Sequence, residues 1–180
     1  MIKKPMKSTN LIILFFLIFT FPLSACTNFQ DIEVGFSPGM TAKHIVLTAI
    51  EEAKKSIDIA AYSFTSKPIA LAIINAQQRG VNVRVVADKN SNGRKYTAVT
   101  YLANHHVPVR LNDNYAIMHN KFMIIDGHSV ETGSFNYTQS AASRNAENVI
   151  YLRHRPDIAE KYTREFNRIW NEGMDKKSTY

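Results

Sequence analysis

From Asp31 to Trp170 the apolar residues switch repeatedly between a strand period and a helix period, and this alternation restricts the chain to folds that interleave the two. Strand-like runs fall at 32–36, 57–64, 81–87, 107–111 and 147–152. Between them, 41–55 places Ile45, Val46, Ala49, Ile50 and Ala53 on one helical face, and 68–79 does the same with Ile69, Ala72, Ile73 and Ala76 before Gly80 stops it. A polar segment from Asp88 opens a short helix reaching about residue 104, a loop with a short helix covers 136–143, and a closing helix over 156–170 turns Ile158, Tyr162, Phe166, Ile169 and Trp170 inward. The expectation is one α/β domain with a mixed, mostly parallel sheet sandwiched by helices on both faces. No Pro- or Ser-rich linker divides it.

The stretch 119–136, HNKFMIIDGHSVETGSFN, carries the chemistry. His119 and Lys121 are two apart and lead into the apolar run Phe122 to Ile125, so they read as same-face positions entering a buried strand. Asp126-Gly127 signals a turn, and the next strand runs out into Gly133-Ser134-Phe135-Asn136, where Ser134 and Asn136 share a parity. An imidazole, an ammonium, a hydroxyl and a carboxamide converging on one spot suit a tetrahedral oxyanion such as phosphate.

The pattern His-x-Lys-x4-Asp-x6-Gly-Ser-x-Asn, matched by His119, Lys121, Asp126, Gly133, Ser134 and Asn136, resembles the HKD motif of the phospholipase D superfamily. The likeness continues through Arg144-Asn145-Ala146-Glu147-Asn148, where that family carries an acidic residue holding the catalytic imidazole. It is nearest to the small, single-motif bacterial members, which include secreted endonucleases. The resemblance implies the phospholipase D/nuclease fold and a metal-independent phosphodiester hydrolase working through a phosphohistidine. His119 would be nucleophile or general acid, with Lys121, Ser134 and Asn136 on the phosphate oxygens. Glu147 would orient His119. Asp126, on the opposite parity at the turn, reads as structural, as does Gly133.

One imidazole cannot attack phosphorus and protonate the leaving group in the same step. The chain holds a single such motif, since of its six histidines only His119 has Lys two residues on. The resemblance resolves this by a homodimer with one composite site. Neither a cofactor nor a metal is expected. His105-His106 read as a solvated loop rather than metal ligands, and Tyr62 and Phe64 as core or interface residues, with a substrate wall as the lesser option for them.

Residues 1–25 have the plan of a signal peptide: Lys3, Lys4 and Lys7, an apolar run from Leu11 to Phe19, then Leu23-Ser24-Ala25-Cys26, which resembles the bacterial lipobox. The expectation is a lipoprotein-type leader with Cys26 modified, followed by a phosphodiesterase domain over 26–180. The protein would be exported in a bacterium, periplasmic or anchored in the membrane through Cys26. Cys26 is the single cysteine, so the core alone must supply stability. Of the 22 basic residues three lie in the leader, leaving 19 against 15 acids in the remainder. That excess favours a polyanion, and Lys89, Arg94 and Lys95 are candidates for a substrate groove.

Two enzyme readings use the same histidine pair: a weakly sequence-specific endonuclease on DNA or RNA, or a phospholipase D converting phosphatidylcholine-type lipids to phosphatidic acid. A third, from another class, is a catalytically silent nucleic-acid- or membrane-binding protein on the same fold.

Overall fold

The computed structural model describes residues 1–2, 31–93 and 97–178. The leader, Cys26, Arg94 and Lys95 therefore lie outside the described residues. In chain order the elements are β1 (Ile32–Ser37), α1 (Thr41–Glu52), β2 (Ser56–Ala61), α2 (Lys67–Gln78), β3 (Asn82–Asp88), α3 (Lys89–Asn92), α4 (Ala98–Asn104), β4 (Val109–Asn112), β5 (Lys121–Ile125), β6 (Ser129–Gly133), α5 (Gln139–Ser143), β7 (Glu147–Leu152), α6 (Pro156–Glu172) and β8 (Met174–Asp175).

Among the described residues the strands form one mixed eight-stranded sheet, ordered β1-β7-β6-β5-β2-β3-β4-β8. The α/β class and the helices on both faces are as the sequence implies, but the parallel share is smaller. Only β2–β3 and β3–β4 pair parallel; the other five pairings are antiparallel. The physical reason lies in the connections. Strands β1 to β4 are joined through helices and run in one direction, yet β7, β6 and β5 slot between β1 and β2. A parallel return needs a crossover of a dozen residues or more, usually built on a helix. The turn at Asp126-Gly127 is too short to provide one, and the 134–146 connection, though thirteen residues long, holds only the five-residue α5; β5, β6 and β7 alternate in direction.

Two apolar layers hold the sheet. Helices α1, α2 and α4 bury Ile45, Ile50, Ile73 and Leu102 against Ile57, Ile59, Val85 and Met123. On the opposite face α6 is the covering helix among the described residues, with Phe166 and Ile169 against Phe122, Ile124 and Val130. Gly35 sets the approach of α1 to β1, because a Cβ there would lie 2.7 Å from the Ile45 side chain and 2.8 Å from the backbone of Thr41 and Ala42. The alternate residues of β1 therefore face the α6 side, beyond the reach of α6. Ile32, Val34 and Phe36 remain 46%, 53% and 62% exposed.

A carboxyl group is sealed in the larger layer. Glu131, 1% exposed, accepts a hydrogen bond of 2.9 Å from the hydroxyl of Tyr137, which is itself fully buried. Burial pushes this carboxyl up to about 8, against a downward pull from the Tyr137 bond. Glu131 thus stays protonated in the fold at pH values where it ionises in the unfolded chain, so its contribution falls as pH rises from the ordinary glutamate range towards 8. Thermal denaturation should show wild type losing roughly 3 kcal/mol more stability than Glu131→Gln between pH 5 and pH 8.

Candidate active site

The carboxyl ends of β1, β2, β3 and β6 and the amino ends of β5 and β7 share one edge of the sheet. Open α/β sheets place their ligand sites outside the carboxyl ends of strands. His119 stands two residues before β5 rather than on it, and it is exposed. Its approach is fixed from β3: the Asp88 carboxylate accepts the Met118 N–H at 2.9 Å with one oxygen and caps α3 through the Ser91 N–H at 2.8 Å with the other. The loop after β2 is pinned just as firmly. Buried Asn92 accepts the Phe64 N–H at 2.9 Å and donates to the Tyr62 carbonyl at 2.5 Å.

Those two anchors bring Tyr62 against the motif. The His119 and Tyr62 ring centroids are 4.5 Å apart at 59°, and the Lys121 ammonium lies 5.1 Å from the Tyr62 centroid. His119 and Lys121 therefore meet on one side, but at the ring of Tyr62 rather than through strand parity. Lys121 is 8% exposed and donates to the His119 carbonyl at 2.7 Å. Burial lowers its pKa, and the negative charge of Glu147 works in the opposite direction.

On the neighbouring strands, the Ser134 hydroxyl donates to Glu147 at 2.6 Å and accepts from the Asn148 N–H at 3.0 Å. The second Glu147 oxygen accepts from the Asn145 amide at 2.9 Å. The expected bond from His119 to Glu147 is not formed within the chain. Ser134 and Asn145 reach the carboxylate first, and among the described residues the ring of His119 contacts that of Tyr62. The Asn136 side-chain oxygen is buried and, among the described residues, accepts no hydrogen bond. Gly133 permits this crowding, since a Cβ there would sit 2.2 Å from the Asn148 carbonyl. That close approach also seats the Ser134 N–H on the same carbonyl at 3.1 Å.

Asp126 lies at the far end of β5. At φ 55° its carboxylate accepts the N–H groups of Lys54, Lys55 and Ser56 at 2.7–3.1 Å, tying the end of α1 and the start of β2 to the hairpin. Lys89 pairs with Asp113 at 2.5 Å. An open cleft of about 330 Å³ runs from His119 and Lys121 past Phe122 and Gly133 to Lys161, Tyr162 and Glu165 on α6. Ser134, Asn136 and Glu147 do not line it. Among the described residues no three His, Cys, Asp or Glu side chains come together to hold a metal, and no helix is long and apolar enough to cross a membrane. The positions of Asn92 and Asp88 behind the motif and of Lys161 on the cleft wall carried no sequence signal, because each reads as an ordinary polar residue until the fold brings it near His119.

Fold and site together define an α/β protein whose strand ends present an exposed imidazole beside a desolvated ammonium. The chain belongs to the phospholipase D superfamily: residues 46–170 match the family described as "Cardiolipin synthase, PLD-like domain". It is 38% identical over 133 residues to a phospholipase D of Rickettsia prowazekii, an alignment covering 74% of this chain and 64% of that protein. It is 32% identical over 146 residues to the mitochondrial cardiolipin hydrolase of Homo sapiens, covering 81% of this chain and 58% of that one. The chain thus spans less than two thirds of the length of these relatives. Among solved structures, the phospholipase D family member Nuc from Salmonella typhimurium superposes with a TM-score of 0.80 at 40% identity, covering 82% of this chain and 98% of Nuc.

Burial pushes the Asp126 carboxyl up, but its three backbone N–H bonds and His128 together hold it below the ordinary aspartate range. Its stabilisation is therefore fully present above that range and lost as pH falls from there through the lowered value of the folded state. Chemical denaturation should show Asp126→Ala costing about 2 kcal/mol at neutral pH and progressively less in acid.

Proposed function

We propose that the protein is a metal-independent phosphodiester hydrolase. The observation that supports this most strongly is the placement of an exposed imidazole and a nearly dry ammonium against one tyrosine ring. A buried cation is costly unless an anion completes it, and here the carbonyl of His119 and the charge of Glu147 do so only in part. A phosphodiester monoanion completes it.

In the reaction a neutral His119 nitrogen attacks phosphorus, the phosphorus–oxygen ester bond breaks, and the departing alkoxide takes a proton from a second imidazolium. Water then attacks the phosphohistidine, releasing the phosphomonoester and restoring the imidazole. Lys121 neutralises the nonbridging oxygens; Ser134 and Asn136, which do not line the cleft, are assigned to the same oxygens by their place in the motif alone. Glu147 positions Ser134 and favours the charged form of Lys121, and it is the base against which His119 is oriented once substrate or a partner has displaced Ser134 or Asn145. Asp126 and Gly133 are structural.

The second imidazolium comes from a symmetry mate, which makes the active form a homodimer with a composite site. The exposed apolar strip Ile32, Val34 and Phe36 supports this, because Phe36 pairs with Asn148 beside Ser134 and so borders the site. The substrate is a DNA or RNA backbone, cut with weak sequence preference because phosphate contacts carry no base information. The open cleft and its added cation favour that choice. The names of the Rickettsia and human relatives support the second reading, hydrolysis of a phospholipid. We further propose that the leader directs export and that Cys26 is lipidated, which places the domain at a bacterial envelope.

Purified residues 27–180 should cut plasmid DNA, single-stranded DNA or RNA with the same turnover in EDTA as without it. His119→Ala should lose at least about 10³-fold. Sedimentation should give a dimer for both. Release of head groups from phosphatidylcholine vesicles without nucleic-acid cleavage would transfer the assignment to the lipid reading.

A further inference from the structure

Lys161 stands on the wall of the cleft facing the motif, yet it takes no part in the chemistry above. A lysine on an exposed helix ordinarily pairs with acids one turn away. Around Lys161 both acids one turn away, Asp157 and Glu165, and the adjacent Glu160 are committed to arginines. Asp157 binds Arg155 at 2.8 Å, Glu160 binds Arg164 at 2.5 Å, and Glu165 binds Arg168 at 2.7 Å while accepting from Asn120 at 3.4 Å. Among the described residues no carboxylate lies within ion-pair distance of the Lys161 ammonium, and the residue is exposed.

The cleft therefore holds two cations of different character. Lys121 is nearly dry and belongs to the diester that is cut. Lys161 is hydrated and stands on the helix across from it. Next to Lys161 the cleft wall carries the half-buried Tyr162, backed edge-to-face at 4.9 Å by Phe122, which at 2% exposure offers no face of its own. A hydrated ammonium beside a partly exposed tyrosine suits the next repeat of a polyanion, with its sugar or base against Tyr162 and its phosphate on the lysine.

We propose that this cleft is a subsite for the phosphate adjacent to the scissile one, with Lys161 as its cation, so that the protein prefers a polynucleotide chain to an isolated diester. The inference rests on the phosphodiesterase reading and adds the recognition element. A surface ammonium contributes through counterion release rather than chemistry, so its effect belongs in KM and in salt dependence.

The test compares wild type, Lys161→Ala, Lys161→Glu and Lys161→Arg on a fluorescent oligonucleotide, on bis(p-nitrophenyl) phosphate and on cardiolipin vesicles, at several salt concentrations. Lys161→Ala should raise KM for the oligonucleotide roughly threefold to tenfold with little change in kcat, and flatten the slope of log(kcat/KM) against log salt by about 0.7 to 0.9. Preference for the oligonucleotide over the small diester should fall by the same factor, further with Lys161→Glu, and recover with Lys161→Arg. Equal losses on oligonucleotide and small diester, or none on either, would overturn the subsite while leaving the phosphodiesterase reading intact. A loss confined to cardiolipin vesicles would overturn its assignment to nucleic acid. Failure of wild type to turn over any of the three would overturn the phosphodiesterase reading itself, and the subsite with it.

Discussion

The constraint on which the site depends is the burial of one ammonium. Lys121 begins the central strand β5, flanked by β6 and β2, and is shielded almost completely from water. A lysine so placed loses hydration that the surroundings must replace in part. They do so with the His119 carbonyl, the face of Tyr62 and the charge of Glu147. Each of these draws in another element. Tyr62 needs the Asn92 anchor, Glu147 needs β7 close to β6, and that closeness needs Gly133. The replacement is incomplete, and burial still lowers the Lys121 pKa.

The two ends of the β5–β6 hairpin divide the work. At one end the motif histidine and lysine meet Tyr62; at the other Asp126 gathers three backbone donors from the α1–β2 junction. The motif's acid is thus a fastening for the strand that begins with its lysine. Between the two, Glu131 and Tyr137 form a buried polar pair beneath the loop that bears Ser134 and Asn136, with the Tyr137 carbonyl accepting the Thr65 and Ser66 N–H groups after β2. The loop is held to the core through side chain and backbone alike.

Much of this was legible in the sequence because periodicity reports burial. Ile45, Val46, Ala49 and Ile50 all face inward from α1, with Ala53 buried just past its end, and Phe166 and Ile169 face inward from α6, as their spacing implies. Periodicity does not report direction, so the helix-linked strands β1 to β4 were readable as co-directional while the insertion of β5 to β7 between β1 and β2 was not. His119 was legible as a chemical group through its spacing from Lys121, but its position off the strand follows from the Asp88 carboxylate that holds Met118, thirty residues further along the chain. The partners of Glu147 were hidden for a similar reason. Ser134 and Asn145 take its oxygens only once β6 and β7 are paired, and no spacing rule ranks them above the imidazole. Two-residue β8 was invisible, held by Arg110 and its ion pair with Asp175 rather than by any pattern of its own.

The central claim is that His119 bonds covalently to phosphorus. It is tested most directly by quenching the protein in denaturant during turnover of an end-labelled oligonucleotide and mapping any adduct by mass spectrometry. The account predicts a nucleotidyl adduct on the His119 imidazole, lost in acid and stable in alkali, and absent from His119→Ala. Active protein with no adduct, or with the label on another residue, would contradict it.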